Sequence, residues 1–252
     1  MSPHAERPGG VLIVGATSAI AAEAAKVFAA SGARLFLTGR DPARLAAVAD
    51  DLRVRGAAHV GTAVLDVTDV ARHEAIVEEA ARALRRVDAV LIAHGMLPDQ
   101  RRCQESVADA LRALEVNFIA SAALLTVVAN RLESQRHGCI AVITSVAGDR
   151  GRGSNYVYGA AKGGLHVFLQ GLRNRLHPAG VSVVEIKPGF VDTPMTAHLR
   201  KNPLFASPAR VGRAVHRAIA RRREIVYVPW FWRPVAVGLK LLPERLFKRL
   251  KL

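Results

Sequence analysis

Short apolar runs alternate with helix-period segments along almost the whole chain, and that alternation restricts the fold more than any other feature. Residues 11–14, 34–38, 60–65, 87–93, 139–144, 181–186 and 225–228 read as strands. Helical spacing fills the intervals at 20–30, after Asp41-Pro42, from Asp69 to about Leu84, near 104–113 and 115–134, at 156–177, and from Ser207-Pro208 to about Arg222. Asp41, Asp69 and Ser207 supply N-cap oxygens, and Pro42 and Pro208 suit the first helical position. Short buried strands, each followed by a helix, make a parallel sheet covered by helices on both faces. The expected fold class is therefore a single α/β, Rossmann-type, doubly wound parallel sheet of about seven strands.

The 252 residues, half of them hydrophobic, suffice for one such domain with a large core. Cys103 and Cys139 stand far apart, and no Cys/His cluster with metal-ligand spacing occurs, so neither a disulfide scaffold nor a metal site is expected. The opening MSPHAERPGG has no apolar h-region, which argues against a cleaved signal peptide. No uncharged apolar run reaches ~18 residues, so no helix is expected to span a membrane. The stretch 116–129 is apolar but contains Asn117, Ser121 and Thr126, and reads as a buried helix.

The turn after the first strand, Gly15-Ala16-Thr17-Ser18-Ala19-Ile20-Ala21, places small residues where a backbone must approach a phosphate. The helix that follows offers free N–H groups and the positive end of its dipole. Two of the three glycines usual in such a turn are alanines here, and tight packing alone would also explain small residues. Asp66, followed by Val67, lies just past the third strand, where a carboxylate can accept from an adenine amino group. Arg40 lies just past the second, where NAD-preferring proteins place an acid against the ribose 2′-hydroxyl. A guanidinium there pairs with a 2′-phosphate, so NADP(H) is expected over NAD(H).

Tyr158 and Lys162 stand four apart near the start of the long helix and so share one face. A nearby ammonium favours the phenolate and draws a phenol toward working pH. Ser145 follows the fifth strand, whose C-terminal end faces the ligand crevice of an open parallel sheet, and Asn117 lies in a helix able to pack beside it. Each residue alone is commonly structural; their order and placement together are not.

With the Gly15 turn, Asp66, Asn117, Ser145, Tyr158/Lys162 and Pro188-Gly189-Phe190-Val191-Asp192-Thr193, the chain resembles the short-chain dehydrogenase/reductase family. The resemblance spans almost the whole chain up to the tail. It implies a strand order of 3-2-1-4-5-6-7, an NAD(P)-dependent oxidoreductase, and a homo-oligomer, dimer or tetramer, formed through the helices carrying Asn117 and Tyr158. It further implies that Tyr158 protonates a carbonyl oxygen and that Lys162 tunes it and holds the nicotinamide ribose. Ser145 would bind the substrate oxygen, and Asn117 would hold a relay water. Gly15, Thr17, Ser18, Ala19, Ile20, Arg40, Asp66, Val67, Ala93, His94, Gly95, Pro188, Gly189, Val191 and Thr193 would join Tyr158 and Lys162 around the nucleotide. One departure is plain: the family's Asn-Asn-Ala-Gly is Ile92-Ala93-His94-Gly95 here, and His94 either fills space, the favoured reading, or faces the nucleotide.

The segments 155–158 and 191–199 and the C-terminal segment are similar to a narrower group, the keto-reductase subunits of decaprenylphosphoryl-ribose 2′-epimerase. That similarity implies a lipid-linked 2-keto sugar as substrate and a partner oxidase that makes it. A soluble reductase of another carbonyl, such as a 3-oxoacyl thioester, and a catalytically idle NADP(H)-binding scaffold are the alternatives.

Charge is uneven. The net charge is +15, and residues 198–252 carry 14 Lys/Arg against 2 Asp/Glu, or +12, leaving +3 for the other 197 residues. The extension at 229–252 is basic and amphipathic, with Leu239, Leu242, Leu246, Phe247 and Leu250 at helical spacing and Pro243 dividing it into two short helices. Such a segment suits an anionic membrane surface, with Trp230, Phe231 and Trp232 as interfacial anchors, or a tail packed on the body with its cations in water. Nucleic acid is not expected, because neither a strand face of stacking aromatics nor a reading helix is present. The expected location is cytoplasmic, at the inner face of a bacterial membrane if the tail docks there.

Overall fold

A computed structural model describes residues 9–250; the start of the chain, to which the signal-peptide reading applies, lies outside them, as does Lys251 of the tail. Seven strands form one parallel sheet: β1 (Gly10–Val14), β2 (Arg34–Gly39), β3 (His59–Val64), β4 (Ala89–Ile92), β5 (Gly138–Ile143), β6 (Val181–Pro188) and β7 (Ile225–Val228). Their order is β3-β2-β1-β4-β5-β6-β7, as the resemblance implies. The helices are α1 (Ala19–Ala30), α2 (Pro42–Val54), α3 (His73–Leu84), α4 (Gln100–Glu105), α5 (Val107–Leu114), α6 (Ala120–Gln135), α7 (Tyr156–Leu176), α8 (Pro208–Ala220), α9 (Trp232–Leu241) and α10 (Glu244–Phe247).

The two sheet faces form separate cores. Ile13, Leu35 and Ile186 pack with Phe28 of α1, Leu45 of α2 and Val215 of α8. Leu12, Val90 and Val142 pack with Ile76 of α3, Leu124 of α6 and Leu165 of α7 on the other. Strands buried on both faces read as continuous apolar runs because no side chain among them meets water. β3, at the edge, has one buried residue, Val60, the others being half-buried or exposed. Order reverses between β1 and β4, and the C-terminal ends of these strands are the switch point at which open α/β sheets place their ligand crevice.

Several boundaries differ from expectation. Asp41 and Ser207 cap α2 and α8 by accepting from the N–H groups of Arg44 and Arg210. Asp69 makes no such bond; residues 70–72 tighten into a 3₁₀ turn, and α3 begins at His73, whose buried ring bonds the Val67 carbonyl. The helix expected near 104–113 is two helices, because Asp99 and Ser106 are each effective caps. The helical run Val107–Gln135 is long and apolar enough to cross a membrane by length and composition. Ala120, Leu124, Leu125, Val128, Ala129 and Leu132 are nevertheless buried in the core, so the apolar stretch is a core helix.

Candidate active site

The phosphate turn starts where β1 ends. Gly15 and Ala16 both donate to the Thr38 carbonyl of β2, at 3.0 and 2.8 Å, which fixes the turn to the sheet. Gly15 sits at φ +80°, and a Cβ there would lie 2.7 Å from the His94 amide nitrogen. Glycine is required on both counts. Ser18 stands at the N-cap of α1 without a side-chain cap bond, so the first-turn N–H groups of Ala19, Ile20 and Ala21 are unshielded by a side chain. A turn packed this closely on the His94 backbone, beneath a helix N-terminus without a side-chain cap, fits a pyrophosphate despite the alanines at 19 and 21.

Arg40 leaves the end of β2 exposed to solvent, beside Thr17, whose methyl packs on Gly39. Asp66 accepts from the backbone N–H and hydroxyl of Thr68 at 3.0 and 2.8 Å. Those bonds, and then the charge of Arg40, hold its carboxyl below the usual range. Val67 is buried behind it. Arg40, Asp66 and the Gly15 turn thus share one side of the crevice.

Beyond β4, Ala93 stays in the sheet and donates to the Val14 carbonyl. The His94 backbone lies against Gly15, and its Nε2 bonds the Ser121 hydroxyl at 3.0 Å. Burial, and then the Lys162 charge, lower its pKa to about 3, so the ring is neutral. Its Nδ1 is buried without a protein partner. His94 both fills space and carries a spare polar atom between the Gly15 turn and Lys162.

Asn117 lies in a widened turn, Glu115–Ile119, between α5 and α6. Its side chain accepts from Met96 N–H at 3.0 Å and donates to the Met96 and Ala113 carbonyls, each at 2.9 Å. It therefore fastens the loop after β4 to the helix layer. A Cβ on Gly95 would sit 2.9 Å from Asn117 Oδ1 and 3.6 Å from Lys162 Nζ, so Gly95 must be small for the two to close around it.

Ser145 follows β5 and opens a 3₁₀ turn, accepting from Ala147 N–H at 3.1 Å. Gly148, Gly159 and Gly163 let this turn meet the backbone of α7; a Cβ at Gly148 would lie 2.7 Å from the Lys162 carbonyl carbon. Ser145 is thereby brought beside the Tyr158 phenol. Burial pushes the Tyr158 phenol up to about 12, opposed by the nearby Ser145 hydroxyl. Lys162 Nζ lies 5.8 Å from the Tyr158 ring centroid and donates to the Ile143 carbonyl at 3.3 Å. Burial lowers its pKa to about 8. A buried cation with one long hydrogen bond costs stability. Lys162→Met is expected to raise the melting temperature by about 2–4 °C, corresponding to about 1 kcal/mol in a chain of this size. A fall on calorimetry would show that the ammonium is a net stabiliser.

The Pro188–Thr193 segment leaves β6 along the same crevice. Val191 is buried and bridges Ala206, and Thr193 shares a capping box with Thr196. Gly189 is covered by Trp232, whose indole nitrogen lies 2.0 Å from where a Cβ would be. Trp232 also packs on Phe190 and is buried. This corrects its expected role as an interfacial anchor: its ring belongs to the core of the site's rim. Phe231 is half-buried, and Trp230 is exposed.

A group of charges missing from the sequence reading lies behind the Ser145 turn. Glu185 and Lys187 point to one face of β6; Glu185 takes the Thr144 hydroxyl at 2.8 Å and the His166 ring at 2.7 Å. Lys187 bonds Asp149 at 2.8 Å, as does Lys240 of α9, and the Tyr227 hydroxyl donates to Asp149 at 3.1 Å. Two charges at alternate positions of an otherwise apolar strand were the sequence signal.

A phosphate cradle at the switch point of a parallel sheet, with a Ser–Tyr–Lys group across the crevice, defines an NAD(P)-dependent oxidoreductase. Residues 10–204 match the model of the short chain dehydrogenase family. The chain belongs to that family. It is 37% identical over 240 residues to an uncharacterized oxidoreductase of Mycobacterium tuberculosis, covering 95% of this chain and 96% of that one. An uncharacterized oxidoreductase of Streptomyces coelicolor is 34% identical over 244 residues, covering 96% of each. Sulfoacetaldehyde reductase 2 of Chromohalobacter salexigens is 34% identical over 192 residues, 74% of each chain.

Proposed function

We propose that the protein is an NADP(H)-dependent reductase that converts a ketone to a secondary alcohol with Tyr158 as proton donor. The observation that carries this reading is the Ser145 turn packed on α7 beside Tyr158, with the buried Lys162 5.8 Å from the Tyr158 ring, facing the Gly15 turn. The bound nucleotide supplies a hydride to the carbonyl carbon. Gly15, Thr17, Ser18, Ala19 and Ile20 hold its pyrophosphate, Arg40 its 2′-phosphate, and Asp66 with Val67 its adenine. Ala93, His94, Gly95, Pro188, Gly189, Val191 and Thr193 line its nicotinamide end. Ser145 donates to the substrate oxygen. Tyr158, held protonated by burial, passes its phenolic proton to that oxygen as negative charge develops there. The Lys162 charge then stabilises the phenolate left behind. Asn117 fixes the loop at Met96 beside Lys162, where proton return from solvent would run.

The substrate reading is a polyprenyl-phosphate-linked 2-keto sugar, made by a partner oxidase and presented at the inner face of the membrane to a cytoplasmic homo-oligomer. The support lies in the tail's outer surface. Trp230, Val235, Val237, Leu241, Leu246 and Leu250 are exposed there among exposed Arg233, Arg245, Lys248 and Arg249. Apolar side chains ringed by cations suit an anionic lipid surface. Flotation with phosphatidylglycerol vesicles is expected to recover the protein, and Trp230→Ser with Leu241→Ser to weaken recovery roughly tenfold. No flotation of the unaltered chain would favour a small free carbonyl such as sulfoacetaldehyde or a 3-oxoacyl thioester, a reading that the similarity to a sulfoacetaldehyde reductase supports. The functional test is NADPH consumption with all three carbonyl classes, with and without lipid. No turnover of any would favour the scaffold reading.

A further inference from the structure

The 3₁₀ turn at Val146–Gly148, which follows Ser145, is held from two sides. On one side, three glycines let it pack on α7. On the other, the next two residues are gripped by the C-terminal helices. Arg150 lies 3.8 Å over the Phe247 ring. Its guanidinium donates to the carbonyls of Leu239 and, at 2.6 Å, of Leu242, and pairs with Glu244 at 2.9 Å. It thus closes the end of α9, satisfies carbonyls the helix leaves open, and fixes α10. Asp149 is almost fully buried and takes Lys240 from the same helix, Lys187 from β6 and Tyr227 from β7. All the tail residues in this grip lie beyond residue 204, where the family match stops.

We infer that α9 and α10 are a positioning element of the active site, acting through Arg150 and Asp149 to hold the Ser145 turn against Tyr158. A peripheral extension would not need a buried aspartate and an arginine adjacent to the catalytic turn. Ser145 must keep its hydroxyl within hydrogen-bond reach of both Tyr158 and a carbonyl oxygen, and a shift of about 1 Å in such a group costs about 10²-fold in rate. Lys187 and Glu185 form the fixed base of the grip, and Arg150 and Lys240 are its outer, replaceable part. Restraint within the turn is short-range only: Ala147 N–H donates to the Ser145 hydroxyl, Gly148 N–H to the Ser145 carbonyl and Asp149 N–H to the Val146 carbonyl, and none of these ties the turn to the rest of the fold.

The test uses Arg150→Met, Arg150→Lys and Lys240→Met in the full chain. Amide hydrogen exchange across 144–149 is expected to speed up about tenfold in Arg150→Met and Lys240→Met, while α1 and β1 stay unchanged. Arg150→Lys should recover part of the protection. Activity on 9,10-phenanthrenequinone, used as a probe ketone, is expected to fall about tenfold in kcat for Arg150→Met, with KM for NADPH unchanged. Exchange unchanged at 144–149, or accelerated evenly through the sheet, would overturn the inference. So would faster local exchange with kcat intact, which is what a merely structural tail gives. The kcat readout rests on the reductase reading. A chain that turns over no ketone fails that reading alone, and the exchange pattern then decides whether the tail holds the turn.

Discussion

Tyr158→Phe is expected to lose about 10²–10⁴-fold in ketone reduction, the range that a positioned general acid contributes. NADPH affinity should stay within about twofold, because the phenyl ring keeps the volume of the phenol and Lys162 stays in place. The variant isolates one proton. The phenol is buried and is pushed up to about 12, so at neutral pH it carries the proton the reaction needs. Above the phenol's pKa the acid form is lost, and reduction should fall with rising pH on that side. Single-turnover rates measured beside nucleotide fluorescence separate the two effects. Reduction unchanged in the phenylalanine variant would remove Tyr158 from the acid role.

Arg40→Asp is expected to weaken NADPH by about 10²-fold, or about 3 kcal/mol, through loss of a charge-assisted contact and gain of repulsion. NADH should change by less than about threefold. Arg40 is solvent-exposed at the end of β2, so its removal opens no cavity and leaves the sheet intact. A carboxylate at that position can accept from a 2′-hydroxyl, so the variant should shift preference as well as lose affinity. Equal weakening of both nucleotides would place Arg40 away from the 2′-phosphate.

The strand and helix alternation was legible because every element obeys its own period. Val11–Val14 and the inner strands are buried on both faces and read as apolar runs, while Asp41 and Ser207 announce helix starts by a cap the backbone uses. Asp69 was misleading because the cap competed with His73, whose ring bonds Val67 and moves the helix start four residues on. The widened turn at Asn117 left no mark in the spacing, since a single extra residue per turn disturbs apolar periodicity very little. Tyr158, Lys162, Ser145 and Asn117 were legible as a set, and the structure brings all four to one crevice. The tail was legible in composition only. Its cations and aromatics carry no sign of whether they meet lipid or protein, and the fold divides them: Trp232, Phe247 and Lys240 turn to the body, and Trp230, Leu241 and Leu246 to solvent. The buried Asp149–Lys187–Glu185 group depends on contacts across residues far apart in the chain, so it was visible only as two charges in an apolar strand.

If the Gly15 turn and Arg40 hold NADPH as proposed, titration of the purified chain with NADPH and with NADH, followed by nicotinamide fluorescence, will show saturable enhancement with NADPH at a dissociation constant at least about tenfold below that for NADH, corresponding to about 1.4 kcal/mol. Binding of neither nucleotide would mean that Ala19, Ala21 and the Ile92-Ala93-His94 segment have closed the site, and would remove the nucleotide from the proposed function.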